Sequence, residues 1–174
     1  AIDIVLLPFI TDNPDLSNLR TVTSRLVQAS SIGFEHVLPH VGDKPLANAS
    51  TVHETSTAEL TLALVLGQMR SMQRIVRSQD NGVWDTFTAP GLADKKVLLI
   101  GYGGIGQAIA ERILPFEVDL YRAASTRRED EHGTIYSTDD VKGLLPDMDI
   151  VILIIPGNET TNGMVDDEFL SAMK

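Results

Sequence analysis

An α/β fold with a parallel sheet is what this sequence predicts, and three observations carry the prediction. Val97-Leu-Leu-Ile100 and Ile150-Val-Ile-Leu-Ile-Ile155 are continuous apolar runs rich in branched side chains, the pattern of strands covered on both faces. Segments of helical periodicity, rather than hairpin turns, flank these runs. The third observation is local. Lys95 to Gly106 reads KKVLLIGYGGIG, an apolar run that passes into Gly101, Gly103 and Gly106 and then into helix formers as far as Leu114, where Pro115 forbids another turn.

Each glycine in that G-x-G-x-x-G has a distinct mechanical role. Gly101 permits a tight turn, Gly103 lets backbone approach a pyrophosphate, and Gly106 lets the helix pack close to its strand. The phosphates would rest on the free N–H groups and the positive dipole end of a helix starting near Gly104. A bare motif of this kind is weak, but strand, turn and helix occur here in the order that dinucleotide binding requires. Gly101, Gly103, Gly104, Ile105 and Gly106 are therefore candidate cofactor-binding residues on a Rossmann-like sheet.

Composition narrows the function. The 174 residues carry 24 acidic and 14 basic side chains, a formal charge of −10, which argues against a nucleic-acid surface and against anionic lipid. Zero cysteines exclude disulfides, thiol catalysis and thiolate metal sites and fit a cytoplasmic location. The most apolar stretch, Leu60 to Gly67, falls far short of the ~20 residues that span a bilayer. Four histidines, at 36, 40, 53 and 132, lack metal-ligand spacing with a carboxylate and read as surface or capping residues. The chain opens at Ala1 inside a strand-like run, so a preceding portion is expected.

In order, strands are expected over Ile2 to Leu7, Leu26 to Ala29 and Pro45 to Ala49. Turn chemistry stands at Asp12, Asn13, Pro14 and Asp15, a short segment at Leu16 to Leu19, a polar loop at Ser30 to His36, and an apolar turn at Val37 to Pro39. Three strands with little helix between them look like the tail of an α/β domain. Thr51 to about Arg77 is one long helical pattern, with Ser56 and Glu59 spaced as a capping box and Leu62, Leu66, Met69, Met72 and Val76 at helical intervals. Leu60, Ala63, Leu64 and Val65 widen its apolar face, which then needs two neighbours: either two domains, or one domain and a second subunit. A homodimer centred on Thr57 to Val76 is the expectation. After a loop from Val83 to Gly91 and the glycine motif come a strand at Val118 to Tyr121, a helix at Thr138 to Leu145, the strand at Ile150 to Ile155, a turn at Thr160 to Gly163 and a helix at Asp166 to Met173. That supplies three of about six strands in a dinucleotide-binding sheet, so the domain reads as truncated after its third strand.

This order of pieces resembles the D-isomer-specific 2-hydroxyacid dehydrogenases, the family of phosphoglycerate, glyoxylate and hydroxypyruvate reductases. The likeness rests on Ser31-Ile-Gly-Phe-Glu-His36 in place of S-A-G-V-D-H, on Thr57-Ala-Glu-Leu-Thr-Leu-Ala-Leu64, and on Gly101 to Gly106. It extends to Ile155-Pro156, Thr160-Thr-Asn-Gly-Met-Val165 and Phe169-Leu-Ser-Ala-Met-Lys174. It implies that residues 1–52 are the C-terminal part of a flavodoxin-like substrate-domain segment and that residues 53–174 are the first half of an NAD(P)-binding domain. By the same likeness the amides of Ile32 and Gly33 would hold a substrate carboxylate, Ile155 and Pro156 would face the nicotinamide or ribose side, and Thr161 the pyrophosphate side. Two positions depart from the family: Gly104 stands where a polar or basic residue is common, and Glu117 replaces a glycine before the second strand. The family's catalytic arginine, glutamate and histidine follow the L-x-x-M-K run, so they are expected beyond Lys174 and no catalytic residue is assigned here.

Two of the readings follow from the likeness. One is an NAD(P)-dependent oxidoreductase interconverting 2-oxo acids and D-2-hydroxy acids; the other is a dinucleotide-sensing protein like the related corepressors. A third, weaker one is a Rossmann enzyme with a different cofactor. On the choice of nicotinamide cofactor the residues speak more directly. An NAD-preferring fold carries an acid about 20 residues past the glycines. Ala124 stands there instead, inside Arg122-Ala-Ala-Ser-Thr-Arg-Arg128. Cationic forks and hydroxyls suit a 2′-phosphate, which makes Arg122, Ser125, Thr126, Arg127 and Arg128 candidate NADP contacts, with NAD the second choice. The alternative is a solvated turn in which Glu129, Asp130 and Glu131 pair with the arginines.

Overall fold

Residues 2–8 and 15–174 are described in the computed structural model. The turn expected at Asp12, Asn13 and Pro14 lies outside them, while Asp15 accepts a hydrogen bond from the Ser17 N–H at 3.0 Å. The chain forms two units, Ala1–Glu54 with Pro156–Asn162, and Thr55–Ile155 with Gly163–Lys174.

In the first unit, β1 (Ile2–Leu6), β2 (Ser24–Gln28) and β3 (Leu46–Ala47) form a parallel sheet in that order, with Ile4 opposite Leu26 and Val27 opposite Leu46. One face closes over Leu7, Leu19, Val27, Val37 and Val41. The other face of β1 is bare: Ile2, Ile4 and Leu6, alternate residues on one side of the strand, are 53%, 56% and 70% exposed. The apolar turn expected at Val37 to Pro39 is instead the start of a one-turn helix, α1 (Leu38–Val41), because Pro39 in the first turn forfeits no hydrogen bond.

The long helix expected from Thr51 to Arg77 is two helices, α2 (Glu54–Met69) and α3 (Met72–Asp80). Ser71 separates them in the left-handed region at φ 54°. Apolar spacing runs unbroken through the joint, so periodicity could not reveal it. The start moves as well: Glu54 opens α2 and accepts from the Thr51 N–H at 2.5 Å, which places Ser56 inside the helix rather than at its cap.

The second unit is built on β4 (Lys96–Ile100), whose Val97 to Ile100 are fully buried. Leu99 and Val97 meet Ala58 of α2 and Ile109, Ala110 and Ile113 of α4 (Gly104–Ile113). Leu98 and Ile100 meet Val141 of α5 (Val141–Leu144), Leu145, Met148 and Phe169 of α6 (Asp167–Ala172). With helices on both faces, a strand must be apolar throughout, and it is.

The sheet has five strands among the described residues, not the three expected. In chain order they are β4, β5 (Asp119–Ala124), β6 (Arg128–Asp130), β7 (Gly133–Ser137) and β8 (Ile150–Leu153), arranged β6-β7-β5-β4-β8. All neighbours are parallel except β6 and β7. The added pair was hidden because β6 is wholly charged and only Ile135 of β7 is fully buried. The turn before β5 keeps its left-handed residue although it is not glycine: Glu117 has φ 63°, donates its N–H to the Leu114 carbonyl and accepts from the Asp94 N–H, both at 2.9 Å.

Candidate functional site

From β4 the chain crosses to β5 on one side and later returns to β8 on the other, so the carboxyl end of β4 is a topological switch point, where ligands enter open α/β sheets. The glycine turn lies there. A Cβ on Gly101, which has φ +107°, would stand 2.1 Å from the Ile154 carbonyl oxygen, and one on Gly106 would stand 2.0 Å from the Gly101 carbonyl oxygen. These two glycines are required by the fold itself. Gly103 differs: a Cβ there meets nothing within 4 Å. It caps α4 in extended conformation, φ −87° and ψ −162°, without a side-chain hydrogen bond. The N–H groups of Gly104, Ile105 and Gly106 in the first turn of α4 have no carbonyl a turn earlier to receive them, and the space over Gly103 is open. The turn thus fits a phosphate through backbone alone, with Gly104 supplying no side chain.

Register puts the ends of β5 and β8 beside this turn, Ala123 and Leu153 both lying opposite Ile100. Ser125 and Thr126 are exposed beyond β5. Arg127, more than half exposed, reaches Asp140 at 3.2 Å and lies 5.2 Å above the Tyr136 ring. Arg128 donates to the Thr126 carbonyl at 3.3 Å. Arg122 departs from the expected role. It is the one buried charged residue among those described, 4% exposed, and its guanidinium donates to Asp130 at 2.8 Å and to the Tyr102 hydroxyl at 3.3 Å, 5.0 Å from the Tyr102 ring centre. It ties the glycine turn to β6 and is spent on that contact. Burial alone would lower the Arg122 pKa, but the bonds to Tyr102 and Asp130 hold it above the ordinary value. Asp130 sits below its ordinary value despite partial desolvation, because the His132 N–H and Arg122 favour the carboxylate.

Tyr102, Tyr136 and Asp140 join the site without a signal in the sequence, whereas Asp130 is one of the three acids weighed as partners of the arginines, and Arg122 meets it at 2.8 Å. Tyr102 stands as the variable residue within G-x-G, and the other two depend on the hairpin that composition conceals. Asp140 accepts from the Ser137 N–H and hydroxyl, each at 2.9 Å, in a capping box, and these bonds hold its carboxyl below the usual range.

Ile155 follows the end of β8 in the second unit. Pro156 and Thr161 fall in the segment Pro156–Asn162, grouped with the first unit, where the Thr161 hydroxyl donates to the Pro156 carbonyl at 2.6 Å and Asn158 Oδ1 accepts from the Thr160 and Thr161 N–H groups. Ile32 and Gly33, also in the first unit, lie in a loop whose carbonyls are held from three directions. The Ser31 carbonyl accepts from the Ala49 N–H at 3.0 Å, the Ile32 carbonyl from Asn48 Nδ2 at 2.8 Å, and the Ser30 carbonyl lies 3.1 Å from His53 Nε2. No acceptor among the described residues meets the Ile32 or Gly33 N–H. His132 approaches Glu131 at 3.6 Å on the exposed hairpin turn. No three metal-ligand side chains gather among the described residues, and no described helix is long and apolar enough to cross a membrane.

Residues 62–174 match the family model described as D-isomer specific 2-hydroxyacid dehydrogenase, NAD binding domain. The chain belongs to the D-isomer specific 2-hydroxyacid dehydrogenase family. Across 97% of its length it is 28% identical to the glyoxylate reductase of Thermofilum pendens, of which it covers 53%. It is 26% identical to the D-lactate dehydrogenase of Aquifex aeolicus, solved with NAD and lactic acid, with a TM-score of 0.76 over 87% of this chain and 47% of that one. The NADPH-dependent glyoxylate/hydroxypyruvate reductase of Sinorhizobium meliloti, solved with NADP and sulfate, gives a TM-score of 0.83 over 99% of this chain and 54% of that one, and at 19% identity it shows the shared fold. The chain spans about half the length of the curated relatives it matches. These 2-hydroxyacid dehydrogenase relatives include proteins solved with NAD and with NADP, so the choice of cofactor rests on this chain's own residues.

Proposed function

We propose that this chain is the cofactor-binding part of an NADP-preferring reductase that interconverts 2-oxo acids and D-2-hydroxy acids. The observation that carries the reading is the open backbone cradle at the switch point: Gly101 and Gly106 are demanded by the fold, whereas the space above Gly103 is not. When bound, the nicotinamide supplies the hydride. The residues of this chain bind and orient. Gly103 to Gly106 hold the pyrophosphate on backbone N–H groups, and Ser125, Thr126 and Arg127 receive a 2′-phosphate, with Arg128 beside them. On the family likeness alone, Ile155 and Pro156 are assigned to the nicotinamide or ribose side and Thr161 to the pyrophosphate side. The NADP preference is supported by Ala124 at the position of the ribose-binding acid and by the exposed guanidinium of Arg127.

In the same reading the N–H groups of Ile32 and Gly33 receive the substrate carboxylate, since the loop's carbonyls are already engaged and these two N–H groups meet no acceptor among the described residues. The bare apolar row of β1 supports assigning residues 1–52 to a larger flavodoxin-like substrate domain. Leu60 and Leu64 on α2, 60% and 66% exposed, support a homodimer through that helix. The proton donor and the arginine that orients the 2-oxo acid are assigned to the longer protein beyond Lys174. Titration calorimetry with NADPH and NADH tests the cofactor reading: about tenfold tighter NADPH binding is expected, abolished as a preference by Ala124→Asp. Equal affinities for the two in the unmutated chain would remove it. Turnover of glyoxylate or hydroxypyruvate by the 174-residue chain alone would overturn the assignment of the proton donor to a longer protein.

A further inference from the structure

The arginine that the proposed site depends on is not loose. Arg127 leaves the end of β5 between two bends and the edge strand β6, a place where a long side chain normally samples many rotamers. Here its guanidinium lies 5.2 Å above the Tyr136 ring, and one amino group meets Asp140 Oδ2 at 3.2 Å. The seat is itself fixed. Tyr136 belongs to β7, packs its ring near Tyr121 at a centroid distance of 6.3 Å, and adjoins the core that contains Val141 and Leu145. The Asp140 carboxylate is pinned by the Ser137 N–H and hydroxyl, both at 2.9 Å. Register places Ser137 opposite Ala124, so the seat stands at the strand end where the ribose of a dinucleotide would lie.

We propose that Asp140 and Tyr136 are positioning residues that pre-orient the Arg127 guanidinium as the 2′-phosphate fork and thereby set the cofactor preference. This rests on the 2′-phosphate reading of Arg127 given above. The chemistry fits. A guanidinium has five N–H donors, and the contact with Asp140 occupies one amino group, leaving others for phosphate oxygens. Holding the planar fork on a ring removes rotamer entropy that binding would otherwise cost, and only a ligand that touches Arg127 gains from it. The Asp140 charge is offset by the Arg127 guanidinium at 3.2 Å, and the Ser137 N–H and hydroxyl fix the carboxylate in place, so it repels a phosphate less than a free carboxylate would.

The experiment compares NADPH, NADH, adenosine 2′,5′-bisphosphate and AMP as ligands of the 174-residue chain, with the variants Arg127→Ala, Asp140→Asn, Tyr136→Leu and Tyr136→Phe. Asp140→Asn keeps an acceptor for Ser137 and so preserves the capping box, and Tyr136→Phe keeps the ring. The seat predicts that Asp140→Asn and Tyr136→Leu each weaken NADPH and the bisphosphate by about threefold or more, leave NADH and AMP unchanged, and that Tyr136→Phe restores the unmutated values. A variant that merely unsettles the fold would weaken all four ligands together; if Tyr136→Leu does so, Asp140→Asn decides. If Arg127→Ala keeps its preference for NADPH, the 2′-phosphate reading itself falls. If Arg127→Ala loses that preference while Asp140→Asn and Tyr136→Leu retain or strengthen it, Asp140 competes for the arginine or is idle, and the positioning role is overturned.

Discussion

The glycine turn after β4 and the basic edge after β5 lie side by side at the ends of adjacent parallel strands, yet they are specified in different ways. At the turn, backbone sterics decide: two glycines are fixed by carbonyl oxygens 2.1 and 2.0 Å from where a Cβ would be, and the third by what must approach from outside. At the edge, side chains decide among competing partners, and three nearby arginines have three fates. Arg122 is buried against Asp130 and Tyr102, Arg127 is seated on Tyr136 and Asp140, and Arg128 turns to the backbone of Thr126. A backbone motif thus states its geometry in residue identity, whereas a charge cluster states only an inventory.

The sharpest way to break this contrast is to substitute within the turn. Gly106→Ala should destabilise the chain by ~3 kcal/mol or more, seen as a lowered urea midpoint, because the obstruction is backbone and cannot rotate away. Gly103→Ala should leave the unfolding free energy within ~1 kcal/mol of the parent and weaken NADPH and NADH alike by at least about tenfold. If both substitutions act on stability alone, the division between a structural and a ligand-facing glycine is wrong.

Within the basic edge, Asp130→Asn should lower the melting temperature by several degrees, since it leaves the buried Arg122 without its counter-charge. Arg127→Ala, at an exposed pair, should leave the melting temperature nearly unchanged. Melting curves of the two variants side by side check the ranking, and equal losses would deny that burial separates the two arginines.

Much of the second unit was legible because its strands are covered on both faces: β4 and β8 announced themselves as apolar runs, and the glycine spacing fixed the turn between β4 and α4. What escaped was set by tertiary partners. β6 and β7 form in a charged stretch because Arg122 and Ile135 draw it onto the sheet edge, and neither pairing leaves a periodic trace. Ser71 breaks the long helix without proline or glycine to mark it. Burial along α2 likewise departs from what helical spacing suggests. Leu66 and Met69, which helical spacing nominates for lysine substitution, pack on the core of their own unit, whereas Leu60 and Leu64 stand free on it. Leu60→Lys with Leu64→Lys should therefore give a monomer by light scattering without loss of fold; a dimer that survives both would place the interface elsewhere.

A smaller effect concerns pH. Asp149 is held below its ordinary pKa, first by the Lys174 ammonium at 2.9 Å and then by the Lys96 N–H. A carboxylate with a depressed folded-state pKa contributes stability that is present above its unfolded value, about pH 4, and lost as the pH falls through the folded value. Asp149→Asn should flatten the acid limb of stability, measured as melting temperature from about pH 7 to about pH 2, and leave the slope above about pH 5 unchanged.

The most direct measurement is a crystal structure of the chain with NADPH bound. The expected complex has the pyrophosphate over Gly103 within hydrogen-bonding distance of the first N–H groups of α4, and the 2′-phosphate between Ser125, Thr126 and Arg127, with Arg127 still resting on Tyr136 and Asp140. A pyrophosphate displaced from Gly103, or a 2′-phosphate projecting into solvent away from Arg127, would contradict it.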